Sequence, residues 1–180
     1  SPGSSTNHVW KHIRSSYEIS TFVWYGVCME VKLKKTEPMQ VAVISHVGSY
    51  SHVSKLYAEI VKWLTQKRLQ ITGPPFGWFY DNPEEVPENK LRSEVGFPFK
   101  GETKSEGKIK IKKVPAHDVL SIIHKGPYRE VGPSYAALFQ YAREKGYMPL
   151  GCPIEIYLND PAKVPESELL TEIQVPVKKK

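Results

Sequence analysis

Apolar and polar positions change period several times along the chain, and each change predicts an element. Val31 and Leu33 alternate with lysines from Glu30 onward, the pattern of a half-buried strand, and Glu37-Pro38 supplies a turn. Val41-Ala42-Val43-Ile44 is a continuous apolar run, as expected deep in a sheet. The period then becomes helical. Val53, Leu56, Tyr57, Ile60 and Leu64 mark one face of a helix from about Ser54 to Lys67, which Gly73-Pro74-Pro75 ends. Phe76 to Tyr80 reads as a third strand, Asp81-Asn82-Pro83 as its turn and Leu91 to Phe99 as a fourth, giving β-β-α-β-β. Upstream, Val9, Trp10, Ile13 and Tyr17 suit a short amphipathic helix within residues 8–20, and Thr21 to Val27 a strand. Residues 1–29 thus form a leader, whose opening Ser1-Pro2-Gly3-Ser4-Ser5 reads as an expression scar.

The same pattern returns. Residues 46–99 and 124–177 align without a gap at an offset of 78, and 16 of the 54 paired positions are identical, against roughly three expected from average composition. His46 and His124, Gly48 and Gly126, Tyr50 and Tyr128, Glu94 and Glu172, and Pro98 and Pro176 are such pairs. Ile109 and Ile111 restate Val31 and Leu33, and Val119 to Ile123 the second strand. A second helix carries Val131, Tyr135, Leu138 and Ala142 inward, with Pro133 in its first turn and Gly146 at its end. Glu155 to Leu158 and Thr171 to Val177 complete the unit. The expectation is one α+β domain over residues 30–178, built of a repeat 30–99, a polar linker 100–107 and a repeat 108–178. Two copies are too few for a solenoid and better placed to pair about a pseudo-two-fold axis around a shared groove.

Composition narrows the function classes. A chain of 180 residues buries one substantial core. Much of the net charge of +6 lies in Lys108, Lys110, Lys112, Lys113 and Lys178-Lys179-Lys180, with no interleaved aromatics, so direct nucleic-acid binding is not expected. Cys28 and Cys152 have neither metal nor redox spacing and fit a reducing, cytoplasmic compartment. No stretch is long and apolar enough to span a membrane, and the six histidines show no ligand spacing, so neither metal nor cofactor is expected. His46 and His124 read as parts of strand-to-helix turns.

Alternation in the strands then selects candidate site residues. If helices cover one sheet face, Ile173, Val175 and Val177 turn towards them and Glu172 turns away. The same rule sends Glu155 and Tyr157 to the open face, opposite Ile156 and Leu158, with Glu94 and, by alignment, Phe79. Trp78 and Tyr80 read either as core on the helix side or as part of the groove. Tyr50 and Tyr128 stand where their helices begin. Carboxylates among aromatic faces suit a lipophilic, planar or cationic ligand, each ring contributing roughly 0.5 to 2 kcal/mol by cation–π attraction.

These residues also carry a family resemblance. His46-Val47-Gly48-Ser49-Tyr50, Gly77-Trp78-Phe79-Tyr80-Asp81-Asn82-Pro83 with Pro87 and Leu91-Arg92, Glu155-Ile156-Tyr157-Leu158-Asn159, and Glu172-Ile173-Gln174-Val175-Pro176-Val177 resemble the GyrI-like small-molecule-binding family and the effector-binding domains of multidrug-responsive transcription activators. The resemblance implies two pseudo-symmetric β-α-β-β halves (SHS2-like), an eight-stranded antiparallel sheet, two long helices on one face, and a ligand cleft between halves. It implies that Glu155 and Glu172 are the cleft's acidic positions. Some stand-alone members are hydrolases that open cyclopropane-bearing alkylating compounds with a cleft glutamate; others inhibit DNA gyrase. The chain shows no helix-turn-helix, unlike the activators.

Three readings follow. The first is a binding module for lipophilic, planar or cationic compounds. The second is a cofactor-independent cyclopropanoid hydrolase, with Glu155 and Glu172 as candidate general acid and base. The third, binding to DNA gyrase or association with a regulator, rests on the resemblance alone.

Overall fold

The computed structural model describes residues 30–180, so the helix and strand expected within residues 8–27 lie outside the described residues. Its strands are β1 (Lys32–Lys35), β2 (Met39–Val47), β3 (Gln70–Ile71), β4 (Phe76–Phe79), β5 (Arg92–Lys100), β6 (Ile109–Val114), β7 (Asp118–Lys125), β8 (Tyr147–Pro149), β9 (Ile154–Tyr157) and β10 (Leu170–Lys179). The helices are α1 (Ser54–Gln66) and α2 (Gly132–Glu144). The fold is α+β, and every strand pairing is antiparallel.

Strands run in the order β1-β7-β10-β9-β4-β5-β2-β6, with β3 added beside β5 and β8 beside β10. Shifting residue numbers by 78 turns this order into its own mirror, with the pseudo-two-fold axis between β4 and β9. The first strand of each repeat has exchanged places. β1 pairs with β7 of the second repeat, and β6 pairs with β2 of the first. The sequence repeat and the spatial half therefore differ by one strand.

That exchange forces curvature. β1 and β2 are six steps apart in the sheet, roughly 29 Å at the usual strand spacing. Residues 36–38, which join them, reach at most about 14 Å. The sheet must curl until its two ends meet. Where they do, the Thr36 N–H donates to the His117 carbonyl at 2.8 Å, and the His117 N–H donates to Thr36 Oγ1 at 2.9 Å.

Both helices lie on one face. Leu56, Ile60 and Leu64 of α1 pack with Ala42, Ile44, Val95 and Phe97, and Tyr135, Leu138 and Ala142 of α2 with Leu120, Ile122, Ile173 and Val175. The helix boundaries and inward residues agree with the apolar periodicity, and Pro133 sits in the first turn of α2. Gly48 and Gly126, which end β2 and β7, hold φ near +133° and +123°, angles that side-chain-bearing residues rarely adopt.

Two expectations change. β1 is fully exposed rather than half-buried, with Leu33 50% accessible, because it is an edge strand. The face away from the helices is also apolar, holding Val41, Val43, Phe76 and Ile154 against Met39, Trp78, Val114 and Ile156. The crossing connections and Trp78, Ile154 and Ile156 line one hollow of about 480 Å³ on that side, so this face is covered as well.

Candidate functional site

Helix α1 packs over β2, β3 and β5, and α2 over β7, β8 and β10, which leaves the central strands β4 and β9 between them. Register fixes what this opening contains. One row across the helix face reads Ile44, Val95, Gly77, Glu155, Ile173, Ile122. Glu155 thus stands beside a glycine at the centre of the sheet. A Cβ on Gly77 would lie 2.9 Å from the Phe79 ring and 3.3 Å from the Tyr57 hydroxyl, so the bare backbone admits those rings.

Glu155 and Tyr157 therefore face the helices, contrary to the expectation that they share the open face with Glu94 and Glu172. The alternation rule fails in β9 because Ile154 and Ile156 find an apolar environment beneath the curled sheet. Apolar character alone could not say which face the helices cover.

Glu155 is 3% exposed. Burial pushes its carboxyl up to about 7, and hydrogen bonds from Tyr135 and Tyr157 offset part of that rise. Among the described residues no lysine, arginine or histidine enters its electrostatics. Burial, and then the neighbouring Glu155, hold the phenols of Tyr57, Tyr135 and Tyr157 well above the usual range, so all three stay protonated, and Tyr135 and Tyr157 donate towards the carboxylate.

Above Glu155 lies a cleft of about 570 Å³ lined by Val53, Ser54, Tyr57, Pro74, Pro75, Phe97, Tyr128, Tyr157 and residues 158–161. Its rings meet edge to face: Tyr128 and Tyr157 at 5.3 Å, Tyr57 and Tyr157 at 6.4 Å, Tyr57 and Phe97 at 5.9 Å. The Tyr57 hydroxyl is anchored on the Phe76 carbonyl at 2.9 Å. The aromatic walls thus brace one another, and the volume falls in the range of small-molecule clefts.

Of the residues singled out in the sequence, Tyr128 and Tyr157 line this cleft and Glu155 lies under it. The others are elsewhere. Tyr50, buried at 1%, accepts the Asp81 N–H at 2.9 Å, donates to the Arg92 carbonyl at 3.0 Å and packs on Phe79, which is core rather than open-face. Trp78 is on the opposite face against Phe76, their rings 4.9 Å apart, and Tyr80 is 42% exposed in a loop.

Glu94 and Glu172 do lie on the face away from the helices, but each is ion-paired. Lys112 donates to both oxygens of Glu94 at 2.8 and 2.7 Å, and Ser45 adds a hydrogen bond at 3.0 Å. Lys34 and Ser121 bind Glu172. Burial would raise the Glu172 carboxyl, but the hydrogen bonds of Lys34, Ser121 and Gln174 outweigh it and hold it below the usual range. Each pair joins an exchanged strand to the other repeat, and Lys34 and Lys112 are themselves 78 residues apart.

Tyr57, Tyr135, Phe97 and Asp160 were not singled out in the sequence. Tyr57 and Tyr135 are an identical pair in the repeat alignment on the inward helix face, which was the available signal. His124 behaves as a turn residue: Nε2 is 3.0 Å from the Pro127 carbonyl and Nδ1 3.3 Å from Ser134 Oγ, ahead of α2. No cluster among the described residues suits a metal ion, and no helix there is long and apolar enough to cross a membrane.

The GyrI-like small molecule binding domain matches residues 29–178. The chain belongs to that family. Among solved structures, it is similar to the EcmrR C-terminal domain at 28% identity and a TM-score of 0.76, covering 86% of this chain and 100% of that one. A hydrolase from Listeria innocua is similar at 16% identity and a TM-score of 0.61 over 86% of this chain and 94% of that one. SAV2435, solved bound to tetraphenylphosphonium, is similar at 11% and 0.52 over 83% and 94%. The last two likenesses concern the fold alone.

Proposed function

We propose that this GyrI-like domain binds lipophilic aromatic cations in the cleft between α1 and α2, with Glu155 as the countercharge. The observation that carries the reading is a buried carboxylate with no basic partner among the described residues, set under tyrosine rings beside a drug-sized opening. A buried charge without a partner is costly, and a ligand cation that supplies the partner recovers that cost. The rings add cation–π attraction. Tetraphenylphosphonium, the ligand of one protein of this fold, has the chemistry the cleft favours.

Calorimetric titration of tetraphenylphosphonium into wild type and Glu155→Gln tests the reading. Affinity should rise from pH 6 to pH 8 as Glu155 ionises and fall at least about tenfold in the variant. Equal binding by both proteins would remove Glu155 from the role. Trp78 is on the far face, so its fluorescence is a poor reporter for this cleft.

A second reading is favoured by the position of the Glu155 carboxyl near neutrality, where a general acid or base is most useful. In a cyclopropane-opening hydrolysis, Glu155 would accept a proton from water as the water oxygen bonds to a ring carbon. The electron pair of the breaking C–C bond would pass into the substrate's conjugated system. Ring-opened product formed by wild type and not by Glu155→Gln is the expected result; its absence with a cyclopropane-bearing alkylator leaves binding alone. On this geometry Glu172, tied to Lys34 on the far face, takes no part.

A further inference from the structure

We propose that Asp160 gives the cleft a preference for ligands carrying two separated positive centres. This rests on the binding reading above and concerns the outer end of the same cleft.

The charge in and around the cleft is unbalanced. Among the described residues its lining contains no lysine, arginine or histidine, in a protein whose net charge is +6. Among the described lining residues one is charged, the exposed Asp160, and the buried Glu155 is hydrogen-bonded by the lining Tyr157. Between them stands Tyr128, whose phenol is raised first by burial, then by Asp160, then by Glu155. Its ring is 5.3 Å from that of Tyr157, the phenol over Glu155, so an aromatic path joins the two carboxylates.

Asp160 is held by its own loop. Oδ1 accepts the Ala162 N–H at 2.8 Å, and its carbonyl accepts the Lys163 N–H at 2.9 Å. One carboxylate oxygen therefore fixes the turn, and on the proposal the other meets the ligand. Pro161 follows directly and restricts the backbone of Asp160. Chain length alone keeps the Cα atoms of Glu155 and Asp160 within about 18 Å of each other. A molecule with one cationic group over the buried rings and another at the mouth meets both charges at once. Asp160 is exposed and screened by water, so its share is smaller than that of Glu155 and falls with added salt.

The test compares matched cations by calorimetry: benzyltrimethylammonium, with one charge, against p-xylylene-bis(trimethylammonium) and its longer biphenyl-linked homologue, with two. The proteins are wild type, Asp160→Asn, which keeps the oxygen that accepts from Ala162, and Glu155→Gln. Wild type should bind one of the two dications at least about tenfold more tightly than the monocation. Asp160→Asn should lose that margin and hold the monocation within about threefold of wild type. Equal affinity for one and two charges in wild type, or a margin that survives in Asp160→Asn, overturns the proposal. If wild type binds none of the three cations, nor tetraphenylphosphonium, the cleft reading itself falls and takes this one with it.

Discussion

Among the described residues three glutamates are buried in one sheet, and the two sides of that sheet treat them in opposite ways. On the far side Glu94 and Glu172 each receive a lysine from an exchanged strand, so their charge is balanced within the fold. On the helix side Glu155 receives only phenols, and at its symmetry-related position in the first repeat stands Gly77, with no side chain at all. The two halves follow one pattern of residues and strands, yet only one has a carboxylate at the centre of the sheet. A balanced charge stabilises architecture, whereas an unbalanced one destabilises the empty protein and leaves attraction available to a ligand.

The largest expected effect comes from removing the unbalanced charge. The folded protein holds the Glu155 proton to about 7, against an ordinary 4.5, so the native state binds that proton more tightly than the unfolded chain does. Below the unfolded value the contribution to stability is fully present, and it is lost as pH rises through the folded one. The loss is on the order of 3 kcal/mol. Urea unfolding should therefore find Glu155→Gln close to wild type at pH 4 and more stable by on the order of 3 kcal/mol at pH 8, while its cation binding is impaired. A variant less stable than wild type at pH 8 would mean that Glu155 is structurally satisfied after all. Glu172 carries the opposite sign: its lowered value makes its contribution present above pH 4.5 and lost on acidification.

Breaking a balanced pair tests the other side. In Lys112→Met the Glu94 carboxylate loses its partner and keeps only Ser45. Complete burial would make this cost several kcal/mol; with the lysine side chain 48% exposed, water can reach the site and about 2 kcal/mol is expected. Cation affinity in the cleft should not change. If Lys112→Met weakened ligand binding as much as stability, the two sides would be coupled and the contrast would fail.

How much of this the chain discloses differs between elements. The helices were legible because α1 and α2 present apolar residues at helical spacing and have solvent on their other side. The repeat was legible from residue identities, and with it the expectation of two halves paired about a pseudo-two-fold axis, but not the strand order that the exchange of β1 and β6 sets. What alternation could not supply was the facing of β4 and β9. In β10 the rule works, since Ile173 and Val175 are core and Glu172 and Gln174 are not. In β9 it inverts, because Ile154 and Ile156 are apolar on the far side while Glu155 and Tyr157 face the helices. The exchange of β1 and β6 is the physical reason. It curls the sheet and covers a face that a flat sheet would leave wet, and no local pattern within a four-residue strand reports a contact made by a connection some 40 residues away or more. Tyr57 was hidden for the opposite reason: a tyrosine on the inward face of a helix reads as core, and here that face overhangs the cleft.

The smallest effects come from two tyrosines that occupy one position of the repeat. Tyr50 is sealed under its turn, where its hydroxyl satisfies the Asp81 N–H; Tyr128 stands in the cleft over Tyr157. Removing the hydroxyl in Tyr50→Phe leaves a buried N–H without its partner and should cost about 1 to 2 kcal/mol of stability, with ligand affinity unchanged. Tyr128→Ala should do the reverse. It removes one ring face from a bound cation, lowering affinity by about 1 kcal/mol, or roughly fivefold, and stability by less than that. The pair is informative because both residues hold the same position in the 78-residue alignment, so any shared effect measures the turn they both begin and any difference measures the cleft. Should Tyr128→Ala unfold as readily as Tyr50→Phe and bind the monocation as well as wild type does, Tyr128 is a turn residue like its counterpart. The aromatic path from Asp160 to Glu155 would then be broken at its middle.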